Sequence, residues 1–202
     1  MKHLKGFGMR FFERTVAVFM KVLIASDIHG SAYYCAALIK RIEAEKPDKI
    51  FLLGDILYHG PRNDLPRGYA PKEVIAMLNP LKDKITAVRG NCEAEVDQMV
   101  LEFDVMQTYR VCEVNGLKLV LTHGHHFNQE KPFELGEKYV LLNGHFHVPE
   151  LKDMGAFIYI NDGSVSLPKQ NSPHAYLILE NRRFSLRELF GGEEFAGIEI
   201  PE

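Results

Sequence analysis

The chain has 202 residues, of which 46% are hydrophobic and 25% charged, and its formal net charge is −3. That length supports one substantial core rather than two independent ones, and the composition is that of an ordinary globular protein. The slightly acidic balance argues against a nonspecific polyanion binder, so no nucleic-acid partner is expected, yet it leaves room for a small phosphate-bearing substrate if bound cations supply positive charge. Cys35, Cys92 and Cys112 are too few and too scattered for a disulfide framework, which suits a reducing, cytoplasmic setting. No apolar run approaches the roughly 18 to 20 residues that span a bilayer, so no membrane partner is expected.

In residues 1–19, four basic side chains precede a short apolar run that has no cleavage site and leads straight into the first strand. Met20 stands immediately before that strand. Residues 1–19 therefore read as an extension from an upstream start, and residues 20–202 as a single domain. Residues 22–25, Val-Leu-Ile-Ala, form the continuous apolar run of a strand buried on both faces, and it stops at Asp27, His29 and Gly30. In extended backbone, side chains two apart share a face, so Asp27 and His29 point the same way.

A helix over 31–46, closed by Pro47, leads to a second apolar strand ending in Gly54-Asp55. A strand–helix–strand unit is parallel, which brings Asp55 to the sheet edge that carries Asp27 and His29. Residues 58–69 hold Gly60, Pro61, Asn63, Pro66 and Gly68 and form a long loop at that edge, a candidate substrate wall. A helix over 71–78 and a strand over 84–89 follow, the latter ending in Gly90-Asn91-Cys92-Glu93. Val96, Met99, Val100 and Phe103 have the spacing of an amphipathic helix with its apolar stripe inward.

The second half is richer in strands. Residues 110–114 and 117–122 flank Asn115-Gly116, a strong hairpin signal, and end in His123-Gly124-His125-His126. A strand over 138–143 ends in Gly144-His145-Phe146-His147, and further strands are expected at 156–160, 174–180 and 184–189. The pattern implies an α/β fold of two facing sheets with helices outside.

Each strand end alone is weak evidence for a site, because a lone histidine there is usually a structural one. Five in order, most beside a glycine, form a constellation: Asp27 with His29, Asp55, Asn91, His123, and His145 with His147. Carboxylate, amide and imidazole donors suit Mn²⁺, Fe²⁺, Zn²⁺, Ni²⁺ or Mg²⁺ without a thiolate. A carboxylate such as Asp55 can bridge two cations about 3.5–4 Å apart, the arrangement that cleaves phosphoesters.

Asp27-x-His29, Gly54-Asp55, Gly90-Asn91, His123 and Gly144-His145-x-His147 resemble the five ordered motifs of the calcineurin-like metallophosphoesterases. Within that superfamily, residues 60–63, 90–92 and 163–168 resemble the small bacterial YfcE-type phosphodiesterases. The resemblance implies a four-layer α/β/β/α sandwich with two divalent ions, Mn²⁺ foremost. Asp27, His29, Asp55 and His147 would hold one ion. Asp55, Asn91, His123 and His145 would hold the other, with Asp55 shared. It further implies in-line attack on phosphorus by a hydroxide bridging the metals.

On this reading the candidate catalytic residues are Asp55, Asn91 and Cys92, and the candidate substrate-binding residues are Arg62, Asn63 and Asn91. Cys92 departs from the broader superfamily, which has a histidine there. A thiol with a reference pKa of about 8.5 is a poor acid for a leaving group at neutral pH, so diesters with good leaving groups are the expected substrates. Asp162 and Ser164 read as turn residues, and His125 and His126 are left without a role. The alternative is a non-catalytic metal-binding scaffold on the same fold, as the superfamily's retromer subunit exemplifies. A full set of competent donors weighs against it. Apolar residues at 195–200 leave a homo-oligomer open.

Overall fold

In the computed structural model, residues 19–201 are described, so the reading of residues 1–18 as an extension lies outside them. Two mixed sheets face each other. The first is built on the expected parallel unit: β1 (Val22–Ala25), α1 (Ala32–Glu45) and β2 (Lys49–Leu52), followed by α2 (Pro71–Leu78) and β3 (Ile85–Ala87). Ser31 caps α1, its Oγ accepting the Tyr34 N–H at 3.2 Å, and Lys46 closes the helix in left-handed backbone. After α3 (Glu95–Val100) come β4 (Tyr109–Val114), β5 (Leu117–Thr122), β6 (Val140–Asn143), β7 (Glu150–Asp153) and β8 (Ile158–Asn161). These form the second sheet, in the order β4-β5-β6-β8-β7.

The last three strands, β9 (Ala175–Glu180), β10 (Arg183–Glu188) and β11 (Glu194–Glu199), return to the first sheet. Its order is β11-β10-β9-β1-β2-β3, with β9 antiparallel to β1. The sheets therefore do not divide the chain into two halves. β7 and β11 were not expected from the sequence, because Glu-Leu-Lys-Asp and a half-polar edge strand carry little apolar signal.

Alternation sorts the core into layers. Val22 and Ile24 of β1 point between the sheets, against Leu119, Leu121, Leu142 and Ile160, whereas Leu23 and Ala25 point outward to Leu38 and Ile42 of α1 and Val74 and Leu78 of α2. On the outer face of the second sheet, Val120, Leu141 and Tyr159 are covered by Phe133, Leu135 and Met154 rather than by a helix. Residues 123–138 there contain Pro132 and Gly136 and lack a helical period, so loop side chains supply the outer layer.

The amphipathic helix at 96–103 is corrected. α3 spans only six residues and is turned the other way: Met99 is 83% and Val96 59% exposed, and its buried member is Asp97. The Asp97 carboxylate accepts the Ala94 N–H at 2.9 Å, a capping bond that outweighs the apolar stripe, while Leu101 and Phe103 leave the helix and enter the core. Among the described residues no helix is long and apolar enough to cross a membrane.

Candidate metal centre

β1, β2, β5, β6 and β8 all deliver their C-terminal ends to one edge of the sandwich, and the polar strand ends meet there. They do so through tight turns rather than extended backbone, which corrects the expectation of a shared strand face. β1 stops at Ala25, and Asp27 and His29 have φ of 56° and 49°. Asp55, His145 and His147 are also left-handed, at 54°, 67° and 60°. Asp and His tolerate this region better than most residues, yet five such positions in one site mark a backbone held by its surroundings.

Much of what holds it is visible. The Asp27, His29 and Gly30 N–H groups donate to Gly54, Asp55 and Ile56 carbonyls at 3.1, 2.9 and 2.8 Å, zipping the two turns together. The Asp27 carbonyl accepts from the Ser164 and Ser166 hydroxyls at 3.1 and 2.9 Å. Gly54 has φ 93°, and a Cβ there would lie 2.5 Å from the Gly90 nitrogen, so these turns close only with glycine.

The side chains gather in two sets. In the first, Asp27 Oδ1 lies 3.1 Å from His147 Nε2 and 3.4 Å from His29 Nε2, and the two Nε2 atoms are 3.3 Å apart. In the second, His123 Nε2 is 3.2 Å from both Asn91 Oδ1 and His145 Nδ1. Asp55 Oδ2 stands between them, 3.8 Å from His29 Nε2 and 3.4 Å from His123 Nε2. The seven residues singled out from the sequence are thus brought to one place.

Two observations test whether this set suits a cation. The ring nitrogens turned away from the centre donate to backbone carbonyls: His29 Nδ1 to Tyr58 at 2.8 Å, His123 Nδ1 to Leu53 at 2.7 Å and His147 Nδ1 to Leu167 at 2.6 Å. In a neutral ring that leaves Nε2 bare, so His29 and His147 present two lone pairs to each other with no proton to share. Asp27 Oδ1 is buried and accepts no hydrogen bond. Donor separations of 3.1–3.4 Å are also those spanned by bonds of about 2.0–2.2 Å to a shared ion. The residues fit divalent cations.

Electrostatics agree. Burial opposes the Asp27 charge, yet the His147 and His29 rings beside it hold its carboxyl well below the ordinary carboxylate range. Burial also disfavours the His123 imidazolium, but the Asp55 carboxylate raises this ring to about 9. Burial and the proximity of His123 push His145 down to about 4.

Support comes from residues to which sequence reasoning gave no role. Glu93 is buried and accepts the Asp55 and Ile56 N–H groups at 2.9 and 2.6 Å, and the Gly90 N–H as well. Burial and the Asp55 charge raise its carboxyl to about 7. Asp162 does more than make a turn. It is buried 2.7 Å from Ser26 Oγ, which lies 2.6 Å from Asp27 Oδ2. Burial and the Asp27 charge raise the Asp162 carboxyl far above its usual range, and the Ser26 hydroxyl stands between the two carboxyl groups within hydrogen-bond reach of both. Asp162 follows directly on the apolar run of β8, and that adjacency is the signal in the sequence that would have marked it.

A cavity of about 330 Å³ opens over the centre. Asp55, Asn91, His145 and His147 reach it from below, and Arg62, Asn63, Phe146 and Lys169 line the rest. A second cavity of about 470 Å³ shares Arg62, Asn63 and Asn91 and continues past Tyr58, Pro61 and Cys92. Asn63 Nδ2 donates to the His59 carbonyl at 2.8 Å, which braces the loop. The Cys92 thiol lies within 4.8 Å of donor atoms of His29 and Asp55 and accepts from Asn91 Nδ2 at 3.2 Å. Burial and Asp55 push it far above the usual thiol range. His125 lies against His126 with the two rings tilted by 43°, its ring centroid 5.4 Å from that of His123, outside both donor sets.

Comparison with known proteins agrees with the fold. Residues 20–183 match the calcineurin-like phosphoesterase superfamily domain. The chain is 42% identical over 162 residues to phosphodiesterase YfcE of Escherichia coli K12, covering 80% of this chain and 88% of that one. It is 26% identical over 178 residues to a probable metallophosphoesterase, YsnB, of Bacillus subtilis, covering 83% and 89%. A solved structure of E. coli YfcE, described as a phosphoesterase, superposes with a TM-score of 0.87 at 40% identity, over 90% of this chain and 100% of that one. The zinc complex of Vps29 from Entamoeba histolytica shares the fold alone, at a TM-score of 0.61 and 18% identity. The chain belongs to the calcineurin-like phosphoesterase superfamily and is a phosphoric ester hydrolase.

Proposed function

We propose that this enzyme is a phosphodiesterase that works with two divalent cations, Mn²⁺ foremost, and prefers diesters with good leaving groups. The first cation would be held by Asp27, His29, Asp55 and His147, the second by Asp55, Asn91, His123 and His145. The observation that carries the reading is the pair of donor sets sharing Asp55 Oδ2, each with imidazole lone pairs facing one another. When bound, such cations supply an activated water and neutralise the phosphoryl oxygens.

The protein's own groups do the rest. Carbonyl-anchored rings hold their lone pairs on the centre, so little reorganisation accompanies binding. Asn91 contributes a neutral oxygen, which leaves more positive charge for the phosphate than a carboxylate would. Arg62 and Asn63, on the loop above, would donate to the phosphate oxygens, the guanidinium through two parallel bonds. Displacement at phosphorus is in line, and the leaving oxygen departs toward Cys92. That thiol, held neutral, is a weak acid, so leaving groups stable as anions depart fastest.

A metal-by-substrate activity matrix with bis(p-nitrophenyl) phosphate tests the reading, alongside elemental analysis of the purified protein. Mn²⁺-stimulated hydrolysis that Asp55→Ala abolishes, with loss of both bound ions, is expected. An inactive protein under every divalent metal would instead fit the scaffold reading.

A further inference from the structure

The cavity over the centre contains a second cation that the chemistry at phosphorus does not require. Lys169 lines that cavity but not the adjoining one, whereas Arg62 lines both. The two positive charges are thus set apart along the cleft, Arg62 on the side shared with the second cavity and Lys169 on the side of His147. Neither makes an ion pair among the described residues, although Lys21, Lys82, Lys118 and Lys138 each do.

The backbone around Lys169 is built to hold it there. Its N–H donates to the His147 carbonyl at 2.9 Å, which ties it directly to a residue of the first donor set. Its own carbonyl accepts from the Ser172 N–H at 3.0 Å and the Ser172 hydroxyl at 2.7 Å. The two residues between, Gln170 and Asn171, have φ of 54° and 57°. Two successive positive φ angles are the pattern of a type I′ turn, which normally uses glycine, so a glutamine there is strained. Strain at the rim of a cleft, in a turn that presents one unpaired cation, calls for a functional explanation.

We propose that Lys169 is a specificity-determining residue that receives a second negative charge on the substrate, carried by the arm of the diester that extends past His147. The preferred substrates are diesters in which one alcohol bears a further phosphate or carboxylate, with the leaving group in the second cavity beside Tyr58 and Cys92. Phe146, 40% exposed in the same cavity, offers an apolar surface beneath the chain that links the two anions. Arg62 serves the reacting phosphate and Lys169 the distal anion.

This inference rests on the phosphodiesterase reading, and one experiment separates the two. Ethyl, 2-carboxyethyl and 2-phosphoethyl p-nitrophenyl phosphates share a leaving group and differ only in the distal charge. The wild-type Mn²⁺-loaded enzyme is expected to prefer the charged esters about fivefold in kcat/KM, the effect of one partly exposed ion pair, through KM rather than kcat. The phosphate and carboxylate arms report which anion fits. In Lys169→Met the charged-to-neutral ratio falls to about one, and in Lys169→Arg it persists. A wild-type enzyme without preference, or a Lys169→Met variant that keeps it, overturns the distal subsite while leaving the diesterase reading intact. No hydrolysis of any of the three esters overturns both.

Discussion

The carboxylate of Glu93 accepts the backbone N–H of Asp55 at 2.9 Å, so the shared carboxylate of the centre is aimed by another acid whose own charge it disfavours. Truncation by Glu93→Ala would leave the Asp55, Ile56 and Gly90 N–H groups buried without acceptors. A loss of about 2–4 kcal/mol in urea unfolding is expected, since each such group costs about 1–3 kcal/mol and relaxation recovers part of it. Mn²⁺ affinity, followed by calorimetric titration, should fall about 10–100-fold, the usual effect of removing a group that orients a ligand. A variant with native stability and unchanged affinity would show that the turn holds itself.

The reversed face of α3 predicts a contrast between two neighbours. Met99→Ala should change unfolding free energy by no more than about 0.5 kcal/mol, as at other exposed positions. Phe103→Ala removes a buried ring from the core and should cost about 3–5 kcal/mol. Equal losses at both sites would restore the amphipathic helix that the sequence suggests.

Glu45 provides a pH-dependent contribution away from the centre. Its carboxylate lies 2.7 Å from Lys21 Nζ and 3.0 Å from Arg187 Nη1 and accepts the Tyr176 hydroxyl at 3.1 Å. Burial opposes its ionisation, but Lys21 and Arg187 outweigh burial and hold its pKa below the ordinary value of 4.5. A depressed folded pKa means that the stabilisation is fully present above about pH 4.5 and is lost as the pH falls through the folded value. Glu45→Gln should therefore lower stability by about 1 kcal/mol or less at pH 7, and the difference from wild type should close as the pH falls through the folded value. Thermal melts of both proteins between pH 3 and 8 measure it, and a pH-independent difference would assign the effect to packing.

Cys92→His restores an imidazole where the thiol cannot act as an acid. Turnover of diesters with alkyl leaving groups should rise about tenfold or more, the lower range for general-acid catalysis, with little change for p-nitrophenyl leaving groups. A Brønsted plot of rate against leaving-group pKa, shallower in the variant than in the wild type, is the expected signature. Parallel plots would remove Cys92 from leaving-group departure.

Much of the molecule was legible in one dimension because its signals are local. The apolar runs at β1, β2, β3, β5 and β6, each ending in a polar residue beside glycine, announced the parallel strands and the seven donors. Right-handed strand–helix–strand connection then placed Asp27 and Asp55 on one edge. The β9–β10 hairpin was also readable, because Asn181 falls between the strands expected at 174–180 and 184–189, although its return to pair with β1 was not. Weakly apolar edge strands such as β7 and β11 are made by their neighbours' hydrogen bonds, and pattern alone does not reveal them.

What tertiary structure decided was orientation. Donor identity is a property of the residue, but its direction depends on left-handed turns at Asp27, His29, Asp55, His145 and His147, and each of these is stabilised by contacts from distant segments. Glu93 reaches Asp55 from 38 residues away, Asp162 reaches Ser26 across 136, and Lys169 hangs on the carbonyl of His147. No spacing rule encodes such contacts, because they exist only once the two sheets have closed over their common core.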